Sequence, residues 1–337
     1  MKTILGIDIG SSQMKVVEAM LQGNAIHIVN AAVVGTPENV LLSESDVDHD
    51  KLTVMIKTLL RDAKIKSRQA NISLLESQVF TRAITMPKLS EKELVQALRW
   101  EAERYVPLPL ADVNMDFAIL AQDQNTNKMD LMLVAAPLRF IKRYVDILEH
   151  AGITIESMEN EALAILRLYK IAGRNSVVLD IGHSTTKIVL LQGEIIRLVR
   201  SISVGSGAIT KAIVTELNLP HAQAEEYKKT YGIVSGKEYE QVTNVVRPIA
   251  DSIIQELRQS ITYFKEKYPQ EILSQVILIG GGAYLPGLRE YITDRIQVQT
   301  DIGVPWQRFQ VSPAVAGVVK EQSSLFFVAT GLALRDI

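Results

Sequence analysis

A short pattern of residues occurs twice in this chain and constrains its fold more than any other feature. The sequence D-I-G-x-S-x-x-K occupies residues 8–15 and again residues 180–187, and each copy continues into Leu-Gln-Gly, at residues 21–23 and 191–193. Apolar and β-branched residues surround both copies, and their glycines can adopt turn conformations that other residues resist. The repeat therefore predicts two copies of one strand, turn, strand, turn, strand unit.

The residues within the two turns suit contact with a phosphate group. Gly10 and Gly182 leave space for backbone N–H groups to point at phosphate oxygens. Ser12 and Ser184 add hydroxyl donors, and Lys15 adds a positive charge whose hydrogen bond to a phosphate stabilises by about 1.5–3 kcal/mol. An ordinary hairpin is the alternative for either turn alone. Two such turns facing each other across a cleft would hold one triphosphate from both sides.

Two aspartates and a run of three glycines extend this interpretation to the rest of a nucleotide. Asp8 and Asp180 cannot lie bare against phosphates, and their negative charge predicts a divalent cation, Mg²⁺, that both carboxylates hold through its water molecules. Gly280, Gly281 and Gly282 follow a buried strand and would let the backbone approach a flat adenosine group. A plain turn is the alternative for these glycines.

The composition of the chain limits the other classes of function. The formal net charge of −2 offers no surplus of basic residues for a broad nucleic-acid surface. The absence of cysteine excludes disulfides, thiolate metal sites and cysteine nucleophiles, and the five histidines form no H-x-x-x-H pair. Because no apolar stretch reaches the roughly 18 residues needed to span a bilayer, a cytoplasmic location is expected.

The segment between the two copies has the pattern of an inserted subdomain. Ser90 and Glu93 form a capping box at the head of a helix. Strand-like runs follow at residues 113–120 and 129–136, separated by a polar turn, and a second helix at residues 138–150 ends in a glycine cap. The predicted order is helix, strand, strand, helix.

The second half of the chain contains one long amphipathic helix. Apolar residues recur at steps of three or four positions from Val242 to Phe264 and form a single stripe. Pro248 lies inside this run, which predicts a kink or a broken first turn. A short helix is predicted to end the chain, at residues 324–337.

These motifs resemble those of the actin, sugar-kinase and heat-shock-chaperone ATPase superfamily. Residues 8–15 and 180–187 match its two phosphate motifs, and residues 280–287 match its adenosine motif. Residues 224–232 are similar to the A-E-x-x-K-x-x-Y-G stretch of the FtsA branch. Residues 86–120, in the insert, resemble the corresponding segment of the PilM family of type IV pilus assembly proteins, and that resemblance extends over essentially the whole chain.

The resemblance implies an α/β actin-like ATPase fold, in which two duplicated ribonuclease-H-like domains flank a nucleotide cleft. The first domain would span residues 1–176 and consist of subdomain 1A with the insert, an SHS2-like subdomain called 1C, at about residues 85–157. The second domain would span residues 177–337 and contain subdomains 2A and 2B. Its last helix, at about residues 324–337, is a candidate to pack back on the first domain.

The resemblance also assigns site residues. Glu161 takes the position of the acid that orients the attacking water, and Glu225 and Lys228 take positions that approach the ribose and adenine. A serine separates Gly205 from Gly207 where relatives often have adjacent glycines, which predicts a stiffer or differently shaped turn. The implied phosphate-binding residues are Asp8, Gly10, Ser11, Ser12, Lys15, Asp180, Gly182, Ser184, Thr185, Lys187, Gly205 and Gly207. The implied adenosine-binding residues are Glu225, Lys228, Gly280, Gly281, Gly282 and Tyr284. The residues implied to hold Mg²⁺ are Asp8 and Asp180.

By resemblance, the cofactors are ATP or ADP with Mg²⁺, and the chain is a scaffold of the pilus assembly platform with weak or absent ATPase activity. Its partners would be other platform proteins and the N-terminal cytoplasmic peptide of the membrane protein PilN, bound in a groove between subdomains 1A and 1C. That peptide would hold the chain at the inner face of the cytoplasmic membrane. No nucleic acid is expected, and self-association is left open. Leu94, Leu98 and Tyr105 either form the insert's own core or line the groove.

Two other functions are compatible with these sequence features. An FtsA-like division protein would polymerise on membrane, which sedimentation with ATP and liposomes would detect. A sugar-kinase-type phosphotransferase would need a catalytic aspartate beside a sugar pocket, and the sequence shows no convincing context for one. Release of ADP in the presence of candidate sugars distinguishes that function from a scaffold.

Overall fold

The computed structural model describes residues 2–335 except 38–39, 42, 76–77, 124–126, 170–173, 235, 237–238 and 316–321. Its strands are β1 (Lys2–Ile9), β2 (Gln13–Gln22), β3 (Ala25–Gly35), β4 (Gln69–Leu74), β5 (Phe80–Pro87), β6 (Val113–Asp123), β7 (Lys128–Pro137), β8 (Thr154–Asn160), β9 (Ser176–Ile181), β10 (Thr186–Gln192), β11 (Ile195–Ile202), β12 (Gln275–Ile279), β13 (Thr300–Ile302) and β14 (Gln310–Val311). Its α-helices are α1 (Asp46–Asp62), α2 (Glu91–Tyr105), α3 (Leu138–His150), α4 (Glu161–Tyr169), α5 (Ser206–Leu217), α6 (His221–Tyr231), α7 (Glu240–Lys267), α8 (Leu288–Ile296) and α9 (Phe327–Ala333). Within the described ranges, no helix is both long enough and apolar enough to cross a membrane.

Each copy of the repeat forms three antiparallel strands, β1 to β3 and β9 to β11. Asp8 lies opposite Lys15 across the first hairpin, and the corresponding aspartate and lysine of the second copy are opposed in the same way. Both Leu-Gln-Gly sequences turn into the third strand through a glycine with positive φ, which is +62° at Gly23 and +56° at Gly193. The predicted duplication of one strand and turn unit is confirmed.

The two copies begin two mixed sheets of similar design. The strand order is β14-β3-β2-β1-β4-β8 in the first sheet and β11-β10-β9-β12-β13 in the second. The first strand of each copy pairs on one side with its hairpin partner and on the other with a parallel strand, β1 with β4 and β9 with β12. Because parallel strands end at the same edge of a sheet, the first turn lies beside the end of β4 and the second beside the end of β12.

One face of the second sheet is covered by α5, α6 and α7. The apolar stripe of α7 is buried there, from Val242 through Ile253 and Leu257 to Phe264. The helix continues through Pro248, so the prediction of a broken first turn is wrong. Pro248 lies on the exposed face, where water can reach the carbonyl group that the missing N–H leaves unbonded.

The last helix, α9, lies between the two sheets and packs on β1, β2 and α4. Two glycines permit its close approach: a Cβ at Gly6 would lie 1.9 Å from the Ala329 carbonyl oxygen, and a Cβ at Gly331 would lie 2.1 Å from that of Ala164. All the residues of α9 are buried, and β14 pairs with β3. This C-terminal part of the predicted second domain is thus in direct contact with the first sheet.

The insert contains a three-stranded sheet, in the order β5-β7-β6, covered by α2. Its capping box is confirmed, since the N–H and Oγ of Ser90 donate to Glu93 Oε2 at 3.0 and 2.6 Å. Leu94 and Leu98 are buried, whereas Tyr105 is 41% exposed. Of the two alternatives for these side chains, Leu94 and Leu98 therefore form the core of the insert.

The insert differs from its predicted boundaries at both ends. Its sheet begins at Phe80 with β5, before the predicted start near residue 85. The predicted helix at residues 138–150 is present as α3, but it buries Phe140 and Tyr144 in the core of the first domain. Strand β8 joins the first sheet beside β4. Helix α3 and β8 therefore belong to the first domain's layers, because their apolar side chains face α1 and the first sheet.

Candidate functional site

A cavity of about 850 Å³ lies between the two turns. Apart from Gly205 and Gly207, every residue of the implied site lines it, including Glu161 at the start of α4 and the α6 residues Glu225 and Lys228. Residues more than 200 positions apart in the sequence therefore share one surface. Their individual roles in binding a nucleotide stay a prediction.

The same backbone hydrogen bond closes both turns. The N–H of Gly10 donates to the Gln13 carbonyl oxygen at 3.0 Å, and the N–H of Gly182 donates to that of Thr185 at 2.9 Å. A Cβ at Gly10 would lie 2.8 Å from the Gln13 oxygen, and one at Gly182 would lie 3.0 Å from the Thr185 oxygen. A side chain at Gly10 would therefore force the turn to shift, and one at Gly182 would be tightly packed; at both positions the N–H group is used by the turn.

In the first turn, the Asp8 carboxylate is bound by two side-chain donors. Lys15 Nζ lies 3.1 Å from Asp8 Oδ2, and Ser73 Oγ donates to Asp8 Oδ1 at 2.9 Å. Ser73 Oγ also accepts the N–H of Ile9 at 3.3 Å. Sequence reasoning missed Ser73, whose only signal is its place near the end of a strand parallel to β1. Asp8 therefore faces the cavity already paired with Lys15.

In the second turn, the corresponding lysine binds a different carboxylate. Lys187 stands opposite Asp180 in the hairpin, but its ammonium forms an ion pair with Glu161 of α4. Lys187 is 3% exposed. Within the part of the chain that the structure describes, Asp180 forms no ion pair. The two copies are therefore alike in backbone and different in the pairing of their charges.

Asp180 lies on the wall of the cavity near both turns. Burial and the neighbouring Asp8 carboxylate raise the pKa of Asp180 to about 6, and the Lys15 ammonium opposes that increase. Gly280, with φ at +79°, passes so close that a Cβ there would lie 2.5 Å from Asp180 Oδ1. Among the described residues, no three His, Asp or Glu side chains form a metal-ligand cluster. A Mg²⁺ ion at this place would therefore take most of its ligands from water and phosphate.

Glu225 and Lys228 form a hydrogen-bonded group with Thr210 of α5 on the wall of the cavity. Glu225 accepts hydrogen bonds from Thr210 Oγ1 at 2.6 Å and from Lys228 Nζ at 2.8 Å, and Lys228 Nζ also donates to Thr210 Oγ1 at 2.9 Å. Burial raises the pKa of Glu225, but the hydrogen bonds from Lys228 and Thr210 outweigh it and lower that pKa below its ordinary value. Burial lowers the pKa of Lys228. The group offers fixed donor and acceptor atoms beside the cavity.

Gly205 and Gly207 pack against the second turn. The N–H of Gly207 donates to the His183 carbonyl oxygen at 2.9 Å, and a Cβ at Gly205 would lie 2.4 Å from the same oxygen. A Cβ at Gly207 would lie 2.6 Å from the His183 ring. These glycines thus let the start of α5 approach the turn, and neither lines the cavity. Their implied contact with phosphate stays a prediction.

The glycine run after β12 has a packing role as well as an open side. A Cβ at Gly282 would lie 2.2 Å from Ile181 Cγ2, so this glycine is required where the backbone crosses the end of β9. A Cβ at Gly281 has its nearest neighbour, Leu325, at 3.4 Å. Tyr284 accepts the N–H of Ser324 at 2.9 Å on its hydroxyl oxygen. Gly281 is therefore the member of the run with space for a ligand beside it.

Comparison with known proteins identifies a family that matches nearly the whole chain. The family model described as type IV pilus assembly protein PilM matches residues 6–337. A solved structure described as the PilM–PilN type IV pilus biogenesis complex is 32% identical, with a TM-score of 0.86 and coverage of 98% of both chains.

More distant relatives agree on the fold. The cell division protein FtsA of Streptococcus pneumoniae is 22% identical over 361 residues, which cover 93% of this chain and 78% of FtsA. MreB5 of Spiroplasma citri, solved with ADP bound, has a TM-score of 0.56 at 14% identity and covers 98% of this chain and 94% of its own. At that identity the likeness shows the fold alone. The predicted α/β actin-like ATPase fold is confirmed.

Proposed function

This chain belongs to the PilM family of type IV pilus assembly proteins, and on that basis we propose that it is an ATP-binding scaffold whose nucleotide state sets its affinity for a partner. The observation that carries the proposal is the cavity of about 850 Å³, which both copies of the repeat line. Binding requires only such a pocket, whereas turnover also requires a base that is free to accept a proton.

The charges of the cavity suit a triphosphate with a divalent cation. The Lys15 ammonium is positioned at the first turn, where a phosphate oxygen could replace or share its bond to Asp8. Burial, and after it the neighbouring Asp8 carboxylate, raises the pKa of Asp180, and a cation between the two carboxylates would remove their repulsion. When bound, Mg²⁺ would neutralise phosphate charge while these carboxylates hold its water molecules.

The wall formed by α5, α6 and the glycine run suits a nucleoside. Glu225 offers carboxylate oxygens and Lys228 an ammonium, so that the pair can accept from and donate to ribose hydroxyls. Gly281 and Tyr284 line the same cavity and leave room for a flat base. ATP or ADP would therefore lie with its phosphates between the turns and its nucleoside against this wall.

The partner we propose is the N-terminal cytoplasmic peptide of PilN, bound in a groove between subdomains 1A and 1C. The support is the relative that was solved as a PilM–PilN complex. On the insert, Trp100 is 73% exposed and lines, with Arg104, a cavity of about 580 Å³ beside the end of β5, and all the lining residues of this cavity belong to the insert. We expect the peptide to contact these side chains. The bound peptide would then keep the chain at the inner face of the cytoplasmic membrane.

An ion pair provides a physical link between the insert and the second domain. Arg197 of β11 pairs with Asp130 of β7, which also accepts a hydrogen bond from Thr85 Oγ1 at 2.7 Å. Arg197 Nε donates in addition to Gln192 Oε1 at 2.8 Å. A nucleotide that changes the closure of the cleft would move β11 and, through this pair, the insert. ATP would thus act as a ligand that shifts a conformational equilibrium.

Two titrations on the same protein test this function. Binding of fluorescent ATP with Mg²⁺ measures the nucleotide site, and binding of a labelled PilN N-terminal peptide with and without ATP measures the coupling. We expect ATP to bind and to change the peptide affinity at least threefold. An ATP-induced pellet with liposomes that carry no PilN peptide would favour the FtsA-like alternative, and stimulation of ADP release by a sugar would favour a phosphotransferase.

A further inference from the structure

The two lysines of the repeat occupy equivalent places and bind different carboxylates. Lys15 binds Asp8, its neighbour across the hairpin, at 3.1 Å. Lys187 has Asp180 as its neighbour across the hairpin but forms an ion pair with Glu161, which lies 26 positions earlier in the chain at the start of α4. The second copy therefore directs its lysine toward the one residue of the site that the family resemblance gives a catalytic task.

The Lys187–Glu161 pair is buried, and the backbone of its lysine is fixed between two neighbouring strands. The side chains of Lys187 and Glu161 are 4% and 13% exposed, and both line the cavity. Lys187 is fixed in the centre of a three-strand ladder, opposite Asp180 of β9 and Ser201 of β11. Because separating a buried ion pair leaves an uncompensated charge, the two groups stay together unless something replaces one of them.

We propose that Lys187 is a positioning residue that restrains Glu161 and so keeps ATP hydrolysis slow; the inference rests on the ATP binding proposed above. In hydrolysis, the water oxygen forms a bond to the γ-phosphorus while the bond from that phosphorus to the β–γ bridging oxygen breaks, and ADP retains its electron pair. The water proton passes to a base. A carboxylate bound to an ammonium accepts that proton poorly, because the ion pair stabilises its charged form.

A phosphate ligand would be the other role for Lys187, as its place in the repeat suggests. The geometry favours the restraining role, since the ammonium that a phosphate would have to bind is already paired with Glu161. A phosphate ligand contributes mainly to nucleotide affinity. A residue that restrains a base changes the rate of hydrolysis and leaves affinity nearly unchanged, so the two roles give opposite patterns in one pair of measurements.

The test compares Lys187→Met, Glu161→Gln and the double variant with the wild type, by fluorescent ATP binding and single-turnover hydrolysis with Mg²⁺. We expect Lys187→Met to bind ATP within threefold of the wild type and to hydrolyse it at least tenfold faster. The double variant should return to the wild-type rate, because the gain depends on the freed Glu161 carboxylate. Lys187→Gln keeps a hydrogen bond without the charge, so its hydrolysis rate should lie between those of the wild type and Lys187→Met. It replaces Lys187→Met in the test if the methionine variant does not fold.

Each contrary result has a separate meaning. Normal ATP binding with an unchanged or lower rate in Lys187→Met and Lys187→Gln overturns this inference and leaves the scaffold intact. A loss of ATP affinity of tenfold or more in both variants makes Lys187 a phosphate ligand and overturns it as well. Absence of ATP binding by the wild type overturns the proposed function, and with it the inference that depends on it.

Discussion

Ser11 and Ser184 approach each other across the cleft, with 3.0 Å between their Oγ atoms. They come from the two copies of the repeat but are not equivalent, since Ser184 corresponds to Ser12 and Ser11 corresponds to His183. The two turns therefore meet with a shift of one residue. A phosphate chain that passes between the turns must replace this hydroxyl contact with one hydrogen bond from each serine.

Removal of the Lys15 ammonium should weaken ATP binding. A charge-assisted hydrogen bond to phosphate stabilises by about 1.5–3 kcal/mol, so Lys15→Ala should raise the Kd for Mg-ATP by about 10- to 150-fold. Fluorescent ATP titration measures this change, and Lys57→Ala, on the exposed face of α1, is the matched control with no expected effect. An unchanged Kd in Lys15→Ala would show that the paired turns do not form a phosphate site.

Asp180 should make the stability of the nucleotide-free protein depend on pH. Its pKa of about 6 in the folded protein lies above the ordinary value of 3.8, so the folded state binds the extra proton between these values. The free energy of unfolding therefore decreases with rising pH: the stability conferred by the protonated carboxyl is present below about pH 4 and is lost as the pH rises through 6. Above pH 6, the ionised carboxylate opposes folding.

Asp180→Asn isolates this contribution, because the amide keeps the shape without the charge. We expect the variant to melt at a higher temperature than the wild type at pH 7.5 and the difference to shrink at pH 5. Added Mg-ATP should reverse the order at pH 7.5, since only the wild type offers both carboxylates to the water molecules of the cation. Asp146→Asn, on the exposed face of α3, is the control. An equal difference in melting temperature between Asp180→Asn and the wild type at both pH values would contradict the raised pKa of Asp180.

The local part of the fold could be predicted from the sequence. Some features depend only on residues that are close in the chain. In each turn, a glycine bonds to the residue three positions later, and at the head of α2 a serine is followed three positions later by a glutamate. The duplicated strands, the capping box and the long stripe of α7 follow from such short-range patterns. About half of the residues that line the cavity were among the expected site residues, some from the repeated motif and others, such as Glu161 and Glu225, only from the family resemblance.

The parts that could not be predicted depend on contacts between distant segments. Ser73 binds Asp8 from a parallel strand, 65 positions away, and no local pattern marks it. The ion pair of Lys187 with Glu161 likewise depends on where α4 begins relative to the second sheet. The placement of α3 against the first sheet is decided by tertiary packing, since an apolar stripe shows which face is buried and does not show which partner covers it. For α9, only the family resemblance suggested that it packs on the first domain.

The Asp130–Arg197 pair should carry the coupling between nucleotide and insert. These side chains are 25% and 16% exposed, so loss of one partner should cost on the order of 1–2 kcal/mol of stability, measured by urea unfolding. Asp130→Ala should also reduce the effect of ATP on peptide affinity, with ATP binding itself preserved. Asp62→Ala, which breaks an exposed pair with Arg61, is the control for loss of an ion pair. Full retention of the ATP effect in Asp130→Ala would mean that another contact carries the coupling.

The exposed tryptophan of the insert should contribute to the affinity for the partner peptide and not to the stability of the fold. Trp100 is 73% exposed, so Trp100→Ala removes little buried surface and should leave the urea midpoint unchanged. Large aromatic side chains contribute strongly where a partner covers them, and a loss of peptide affinity of at least tenfold, about 1.4 kcal/mol, is expected. Fluorescence anisotropy of a labelled PilN N-terminal peptide measures it. Ile272→Ala, at an 80% exposed position beyond α7, controls for the loss of an exposed apolar group. Equal peptide affinity in both variants would place the partner on another surface, because an exposed tryptophan that a partner does not cover has no means of affecting its binding.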